Sequence, residues 1–363
     1  MTARGRLPVV YLPEVDERLS SWAARMAPIY AMTVSEFVAA LGLQGHDVFD
    51  LEWRLSEGQG ALIAARTGLS PEAVQAMTFR ELGSAARMMI ARKNRFPCPH
   101  CPEDLHRKTA SLPWRFRCPV HAVEFRDATG ETLSDRFGAD CFKKLERHVE
   151  VGAAHLDAWA RGAGQGDLEA PEVLQVLTAR HRRASPPNVD EQPRMSLQTR
   201  RDYHDFLTTP ILRQALTVVV PEYDQVAPVL TKPVRPGLHA LAQGTLLQAF
   251  ALTVGIGRII EDPVKWAISI KLMSDAEGQG RVREALRSWP LSLRRCISAR
   301  FWRAERDESA RQSAEKAARQ RQSHKYRTIQ SHKYRCRIVV LVPLVDTNVL
   351  ISLCSCSCFI PGL

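Results

Sequence analysis

Two short motifs dominate the interpretation of this sequence: Cys98-Pro99-His100-Cys101 and, sixteen residues further on, Cys118-Pro119-Val120-His121. Each motif carries two metal-ligating side chains at positions i and i+3, so one turn can direct both toward a single ion. Three thiolates and one imidazole are a common ligand set for structural Zn²⁺ in tetrahedral geometry. The sequence therefore predicts a zinc-binding module over residues 91–130, with these ligands: Cys98, Cys101, Cys118 and His121.

Protein side chains fill all four coordination positions, which favours a structural zinc over a catalytic one. A hydrolytic zinc usually keeps a water as its fourth ligand, often with a carboxylate nearby as base. The nearest acids, Glu103 and Asp104, lie in the intervening loop without a recognisable partner. Because no catalytic triad, Walker A loop or acidic metal cluster is found elsewhere, we predict no catalytic residue and no enzymatic activity.

Basic residues are dense around the two motifs, with Trp114 and Phe116 interleaved among them. The two aromatic side chains either stack on bases or form the small core that a zinc module needs, and the core interpretation is favoured. The predicted contacts to DNA or a partner are polar and basic residues of the segment before the motifs and of the loop between them: Arg66, Gln75, Arg80, Arg87, Arg92, Lys93, Arg95, Arg107, Lys108, Arg115 and Arg117.

A helix-turn-helix-like corner precedes the module. Residues 57–66 predict a helix, Gly68 can take a positive φ in the turn, and Ser70 and Pro71 suit the N-cap and first position of a second helix. Only Gln75 in that second helix is suited to base edges, so packing or protein contact is favoured over base reading.

Helical periodicity continues through most of the chain. A helix is predicted from Asp16 to Pro28 with its acids in the first turn, and a shorter one from Ser35 to Leu41, which Gly42 stops. Gly255 and Gly257 lack the context of a phosphate-binding loop and are interpreted as helix-packing positions. Strand-like alternation is limited to the zinc loop and residues 216–220, so the predicted fold is mainly α.

Composition shifts divide the chain into six predicted segments. A helical region is followed by the zinc module, a second helical segment, a linker, a basic helical domain and an atypical, disordered tail. Their boundaries are 1–90, 91–130, 131–183, 184–196, 197–321 and 322–363.

Positive charge is concentrated near the C-terminus. Residues 281–337 contain 17 Lys/Arg and 5 Asp/Glu, a net charge of +12, whereas the whole chain carries +11. This segment either attracts nucleic-acid phosphates or forms a solvated helix face. The absence of a signal peptide, the thiol motifs and the polar interruptions in the last apolar run predict a cytoplasmic, nucleoid-associated protein with no membrane anchor.

The last forty residues differ in character from the rest. Residues 323–327 recur at 331–335, and residues 345–351 look like the first strand of a PIN-type nuclease, with Asp346 as its first acid. The other acids that such metal chemistry needs are absent, so a gene-junction or read-through tail is favoured. The alternating trio Cys354, Cys356 and Cys358 lacks a spaced second pair and is not predicted to bind metal.

Taken together, several motifs resemble the TniQ/TnsD family of transposition proteins. They are the motif Asp16-Glu17-Arg18-Leu19-Ser20-Ser21-Trp22 after Leu7-Pro8, the corner Arg66-Thr67-Gly68-Leu69 and the paired metal motifs. Weaker similarity continues to about residue 305. The resemblance implies a target-site selection protein that binds DNA or, in some systems, a guide-RNA effector complex. It also implies an AAA+ ATPase and a DDE transposase as partners, and it leaves a homodimer open. A zinc-containing transcription regulator is the alternative.

Overall fold

A computed structural model of the protein describes residues 5–164, 166–179, 212–227 and 236–335. These residues are mainly α-helical, and extended backbone pairs within them only at two isolated antiparallel bridges, Glu17 with Arg107 and Arg117 with Glu124. The mainly α fold with a Cys/His cluster after the N-terminal helices confirms the predicted fold class. The predicted linker at 184–196 and the tail beyond residue 335 lie outside the described residues.

Five short helices form the N-terminal region. They are α1 (Leu19–Met26), α2 (Val34–Ala40), α3 (Val48–Arg54), α4 (Glu57–Thr67) and α5 (Pro71–Ala76). The prediction that Asp16 and Glu17 lie in the first turn of α1 is wrong. Arg18 is the N-cap, and Asp16 takes a left-handed backbone with φ +60°. The chain therefore turns before the helix, and the acids are directed to partners elsewhere.

The helical corner forms as predicted. Ser56 caps the start of α4 in a reciprocal capping box with Gln59, and Gly68 ends the helix with φ +74°. The Ser70 hydroxyl accepts a hydrogen bond from the Ala73 amide at 3.1 Å, and Pro71 occupies the first helical position of α5. Local sequence signals were sufficient here because each of them acts within one turn.

Eleven further helices follow in the described residues. They are α6 (Lys108–Ser111), α7 (Leu133–Phe137), α8 (Ala139–Ala160), α9 (Ala170–Thr178), α10 (Leu212–Val219), α11 (Glu222–Val226), α12 (Leu238–Gln243), α13 (Leu246–Glu261), α14 (Pro263–Met273), α15 (Ala276–Ala285) and α16 (Leu291–Arg335). The strand-like pattern at residues 216–220 was misleading, since most of this segment lies in α10. None of the described helices combines the length and apolarity needed to cross a bilayer.

Two hydrophobic clusters organise the fold up to Arg303, where one of two compact units ends; the other comprises Ala304–Leu363. The smaller cluster lies among α1 to α5 around Trp22 and Phe37, and the larger one joins the metal-motif region to α8, α9 and α13. Helix α16 continues to Arg335, into the segment predicted as a disordered tail. The six segment boundaries themselves stay predictions.

Two glycines allow α8 and α13 to pack closely. A Cβ atom on Gly257 would lie 2.0 Å from the His148 carbonyl oxygen, and one on Gly152 would lie 2.0 Å from the Thr253 carbonyl oxygen. Both contacts are with backbone atoms of the facing helix, which cannot swing aside. The interpretation of Gly257 as a helix-packing position is thus confirmed, and Gly152 is its counterpart.

Candidate metal centre and its surroundings

The four predicted metal ligands converge in the structure, with their ligand atoms all within 4.8 Å of one another. The Nδ1 atom of His121 lies 3.5 Å from the sulfurs of Cys98 and Cys101 and 3.6 Å from that of Cys118, and the Cys101 and Cys118 sulfurs are 3.7 Å apart. A tetrahedral ion with arms of about 2.1–2.3 Å requires ligand separations of about 3.5–3.8 Å. The donor set therefore fits Zn²⁺ in both chemistry and spacing.

Local backbone hydrogen bonds set the geometry of both motifs. In the first motif, the Cys101 amide donates to the Cys98 carbonyl at 3.4 Å. In the second, the Ala122 amide donates to the Cys118 carbonyl at 2.9 Å, and Ala122 takes a left-handed φ of +54°. The adjoining pair Arg117 and Glu124 forms an antiparallel bridge that closes the second turn. Each motif is therefore a compact turn with its ligands on one side.

The environment of the Cys101 thiol shows what an ion would contribute. Burial raises the pKa of Cys101 to about 11, while a hydrogen bond from Arg107 acts in the opposite direction. The Arg107 Nε atom donates to the Cys101 sulfur at 3.3 Å. A thiolate at this position therefore depends on positive charge, which Arg107 supplies in part and a bound cation would complete.

Arg107 also connects the ligand cluster to the N-terminal region. Its side chain is buried, with 4 % of the residue exposed, and its guanidinium also donates to the Val15 carbonyl. Its backbone pairs with Glu17 and receives further support from Asn94, whose Oδ1 accepts the Arg107 amide at 3.0 Å. Arg107 is thus enclosed by the protein, and its contact with DNA or a partner stays a prediction.

A buried ion pair joins α1 to α3. Arg18 and Glu52 are both 0 % exposed, and the Arg18 guanidinium lies 2.7 Å from a Glu52 carboxylate oxygen. The same guanidinium donates to the Ala91 carbonyl at 2.7 Å and to the Ser111 hydroxyl at 3.0 Å. Arg18 therefore holds together the N-terminal helices, the segment before the metal motifs and α6. Sequence periodicity gave no signal for this, because a charged residue is expected at the surface.

Asp16 and Glu17 complete this connection. The Asp16 carboxylate accepts the Thr109 amide at 2.9 Å, and its carbonyl accepts the Lys108 amide at 2.8 Å, so it binds the first turn of α6. Glu17, 1 % exposed, pairs with Arg25 at 2.7 Å. The Asp16–Trp22 motif thus docks the N-terminal helices onto the metal module. The sequence alone indicated no partner for Asp16 and Glu17.

Many of the basic residues predicted to contact DNA are engaged within the protein. Arg87 pairs with Asp50, Arg115 with Asp157, Arg117 with Glu146 and Lys108 with Glu81. Arg95 is partly buried, donates to the Gly244 carbonyl and has a pKa lowered to about 10 by desolvation. Their charges are therefore balanced or enclosed before any ligand arrives.

The remaining predicted contacts are more accessible. Gln75 and Lys93 are exposed, Arg66 is half-buried, and the exposed Arg80 lies 3.4 Å from Glu57. Arg92 is 3.7 Å from Asp47, and its guanidinium lies over the Phe49 ring. These residues are spread along the corner and the segment that follows it, so the structure does not bring all eleven predicted contacts into one patch.

The aromatic residues of the module belong to its core. Trp114 is 0 % and Phe116 6 % exposed, which confirms the core interpretation over base stacking. The Phe116 ring packs against that of Phe250 on α13, with ring centroids 5.2 Å apart, and the Trp114 indole donates to Asp157 on α8 at 2.7 Å. The metal module is therefore seated on the C-terminal helices by these side chains.

Comparison with known proteins points to one family. The TniQ family model matches residues 8–125. That range contains the Asp16–Trp22 motif, the helical corner and all four clustered ligands. No curated protein and no solved structure matches the chain.

Proposed function

From the premise that this chain carries a TniQ domain at residues 8–125, we propose that it selects the insertion site of a transposon. The domain identifies a transposition-associated targeting protein in general terms. Our proposal adds its mode of action: it binds target DNA, or a guide-RNA effector complex, and recruits an AAA+ ATPase and a DDE transposase. In this proposal it has no catalytic activity, and it works in the cytoplasm at the nucleoid. A homodimer is one form of its assembly.

The observation that carries this proposal is the buried connection from the N-terminal helices to the ligand cluster. Arg18 joins α1 to α3 through Glu52, and Arg107 joins the ligand Cys101 to the segment before α1 through Val15. Such rigidity suits a protein whose task is to present one surface to DNA or a targeting complex while partners assemble on another. The accessible residues Gln75, Arg80 and Lys93 support a DNA-facing corner.

We also propose that the cluster holds a structural zinc. Cys98, Cys101, Cys118 and His121 would supply all four ligands and leave no position for a reacting water. The ion would neutralise the Cys101 thiolate, whose formation burial disfavours, and it would fix the two turns. Its contribution is to folding of the module rather than to a reaction.

The decisive experiment combines footprinting with co-purification. Purified protein would be tested for protection of transposon attachment-site DNA and of promoter DNA, and for retention of an AAA+ transposition ATPase. We expect protection of the attachment site, or retention of a guide-RNA effector complex in its place, together with retention of the ATPase. Protection of promoter DNA alone, without the ATPase, would favour the alternative of a transcription regulator.

The metal proposal has a separate test in Cys98→Ser. We expect stoichiometric zinc to be lost and the thermal unfolding temperature to fall, because one of four ligands is removed and the module loses its cross-link. Metal analysis and calorimetry would measure both effects. Cys141→Ser is the matched control, since Cys141 is a half-buried cysteine outside the cluster. Equal zinc content in the two variants would reject the assignment.

A further inference from the structure

An exposed apolar patch lies where the end of α14 meets α16. Its members are Leu272, Met273 and Trp302, which are 37 %, 49 % and 62 % exposed. We name these three residues the Trp302 patch. Large apolar side chains that cluster at the surface commonly mark an interaction site, whereas a single exposed one needs no explanation.

The patch is held together by a buried contact directly beneath it. The Lys271 ammonium lies 3.7 Å from the centre of the Phe301 ring, and both residues are buried. Lys271 precedes Leu272 and Phe301 precedes Trp302, so this cation–π contact joins the two helices at the positions that carry the exposed side chains. The three exposed residues therefore belong to one packed junction of two helices.

Positive charge is concentrated on the part of α16 that leads up to Trp302 and includes Arg303. Residues 291–303 contain four arginines and no Asp or Glu. Arg295 lies seven positions before Trp302, which places it on the same helix face two turns away, and Arg303 is adjacent in sequence. Both are exposed, and neither forms an ion pair in the part of the chain that the structure describes. This differs from the N-terminal region, where Arg87, Arg115 and Arg117 each have an acidic partner.

From these observations we infer that the Trp302 patch and its flanking arginines bind an acidic amphipathic helix of a partner protein. Trp, Met and Arg are enriched in protein interfaces, and Trp and Arg supply many of the side chains that dominate binding energy. Leu272 and Met273 would add nothing to a phosphate contact, but they complement an apolar helix stripe. Arg295 and Arg303, which have no ion-pair partner among the described residues, complement acidic residues that flank such a stripe.

This surface is distinct from the proposed DNA-facing corner, and the inference does not depend on the transposition role. A protein of any function with this patch would bind the same class of helix. Failure of the footprinting experiment would therefore leave it unaffected, and its own failure would leave the targeting role unaffected.

The test uses the full-length protein and a fluorescent synthetic helix of about 18 residues, with leucines at helical spacing on one face and glutamates elsewhere. A scrambled peptide of the same composition removes the apolar stripe and keeps the charge. We expect the ordered peptide to bind at least about tenfold more tightly than the scrambled one, and Trp302→Ala to remove that difference.

Two further variants separate the apolar and the charged contributions. Arg295→Gln combined with Arg303→Gln should weaken binding and reduce its dependence on salt, because counter-charges are lost. Leu12→Ala is the matched control: Leu12 is 76 % exposed and lies outside the patch, so its loss should leave the affinity unchanged. Circular dichroism and thermal unfolding should be unaltered in all variants, since every changed side chain is exposed.

Three results would overturn the inference. They are equal affinity for the ordered and scrambled peptides, no loss of affinity in Trp302→Ala, and a loss in Trp302→Ala that is as large for duplex DNA as for the peptide. The last result would identify the patch as a nucleic-acid contact instead.

Discussion

Arg107 is a cation that sequence patterns assign to the surface and that the fold encloses. It contacts the Cys101 sulfur, the Val15 carbonyl and Asn94, so one side chain ties a ligand to the N-terminal region. Residues that contact metal ligands typically orient them and tune their charge. We therefore regard Arg107 as a positioning residue for the proposed zinc.

We predict that Arg107→Gln holds zinc less tightly. Loss of the hydrogen bond that orients the Cys101 sulfur should lower metal affinity by roughly 10- to 100-fold, measured by competition with a chromophoric chelator. Arg115→Gln is the control, because Arg115 lies in the same module but pairs with Asp157. The idea fails if both variants release zinc at the same chelator concentration.

A second residue-scale prediction concerns the buried pair of Arg18 and Glu52. Arg18→Met should lower the free energy of unfolding by roughly 3–5 kcal/mol, because it leaves the Glu52 carboxylate buried without its counter-charge. Urea denaturation would measure the change. Arg80→Met, which breaks the exposed contact with Glu57, should have a much smaller effect. Similar losses in both variants would show that burial of the first pair is unimportant.

Among the elements, the contact between α8 and α13 is the closest packing that we describe. It requires glycine at two positions because the facing backbone atoms leave no space for a side chain. This contact matters for the candidate site, since α8 carries Asp157 and α13 carries Phe250, which receive Trp114 and Phe116 of the metal module.

Gly257→Ala should therefore destabilise the protein. A Cβ atom 2.0 Å from the His148 carbonyl oxygen forces the helices apart, and such overpacking costs roughly 1–3 kcal/mol or more. Calorimetry would measure the fall in unfolding temperature.

Gly280→Ala is the matched control, because Gly280 lies in helix α15 and a Cβ atom added there would meet no other atom within 4 Å. That variant should be neutral or slightly stabilising, since alanine favours helix more than glycine does. An undiminished unfolding temperature for Gly257→Ala would contradict the described helix contact.

At the scale of the whole molecule, the two compact units differ in their balance of basic and acidic residues. The first compact unit ends at Arg303, whereas residues 304–363 carry ten Lys/Arg against five Asp/Glu. Much of the positive charge in the N-terminal region is balanced by internal ion pairs. Residues 304–363 thus supply +5 of the net charge of +11, and long-range attraction of nucleic acid should depend in part on them.

A chain that ends at Arg303 should test this distribution. We expect it to unfold at nearly the same temperature as the full chain and to bind non-specific duplex DNA more weakly. The slope of log affinity against log salt should also be shallower, because fewer counterions are released. Fluorescence anisotropy at several salt concentrations would measure the slope. An unchanged slope would show that the charges after Arg303 do not contact DNA.

The sequence by itself determined the features that act over a few residues. The capped corner at Ser56, Gly68 and Ser70 and the paired ligand turns formed as predicted, because a cap, a left-handed glycine or a metal turn is specified within one or two turns of chain. The mainly α fold and the TniQ domain could be recognised for the same reason.

Only the tertiary structure decided which charged residues are buried and what they connect. Three charged side chains are enclosed because partners distant in sequence satisfy their charges and hydrogen bonds: Arg18, Glu52 and Arg107. The local sequence pattern does not indicate such partners. Residues 216–220 lie mostly in α10, where Leu216 and Val219 are buried at helical spacing, a pattern that five residues alone do not distinguish from a strand. The same long-range contacts connect the N-terminal helices α1 and α3 to the ligand cluster.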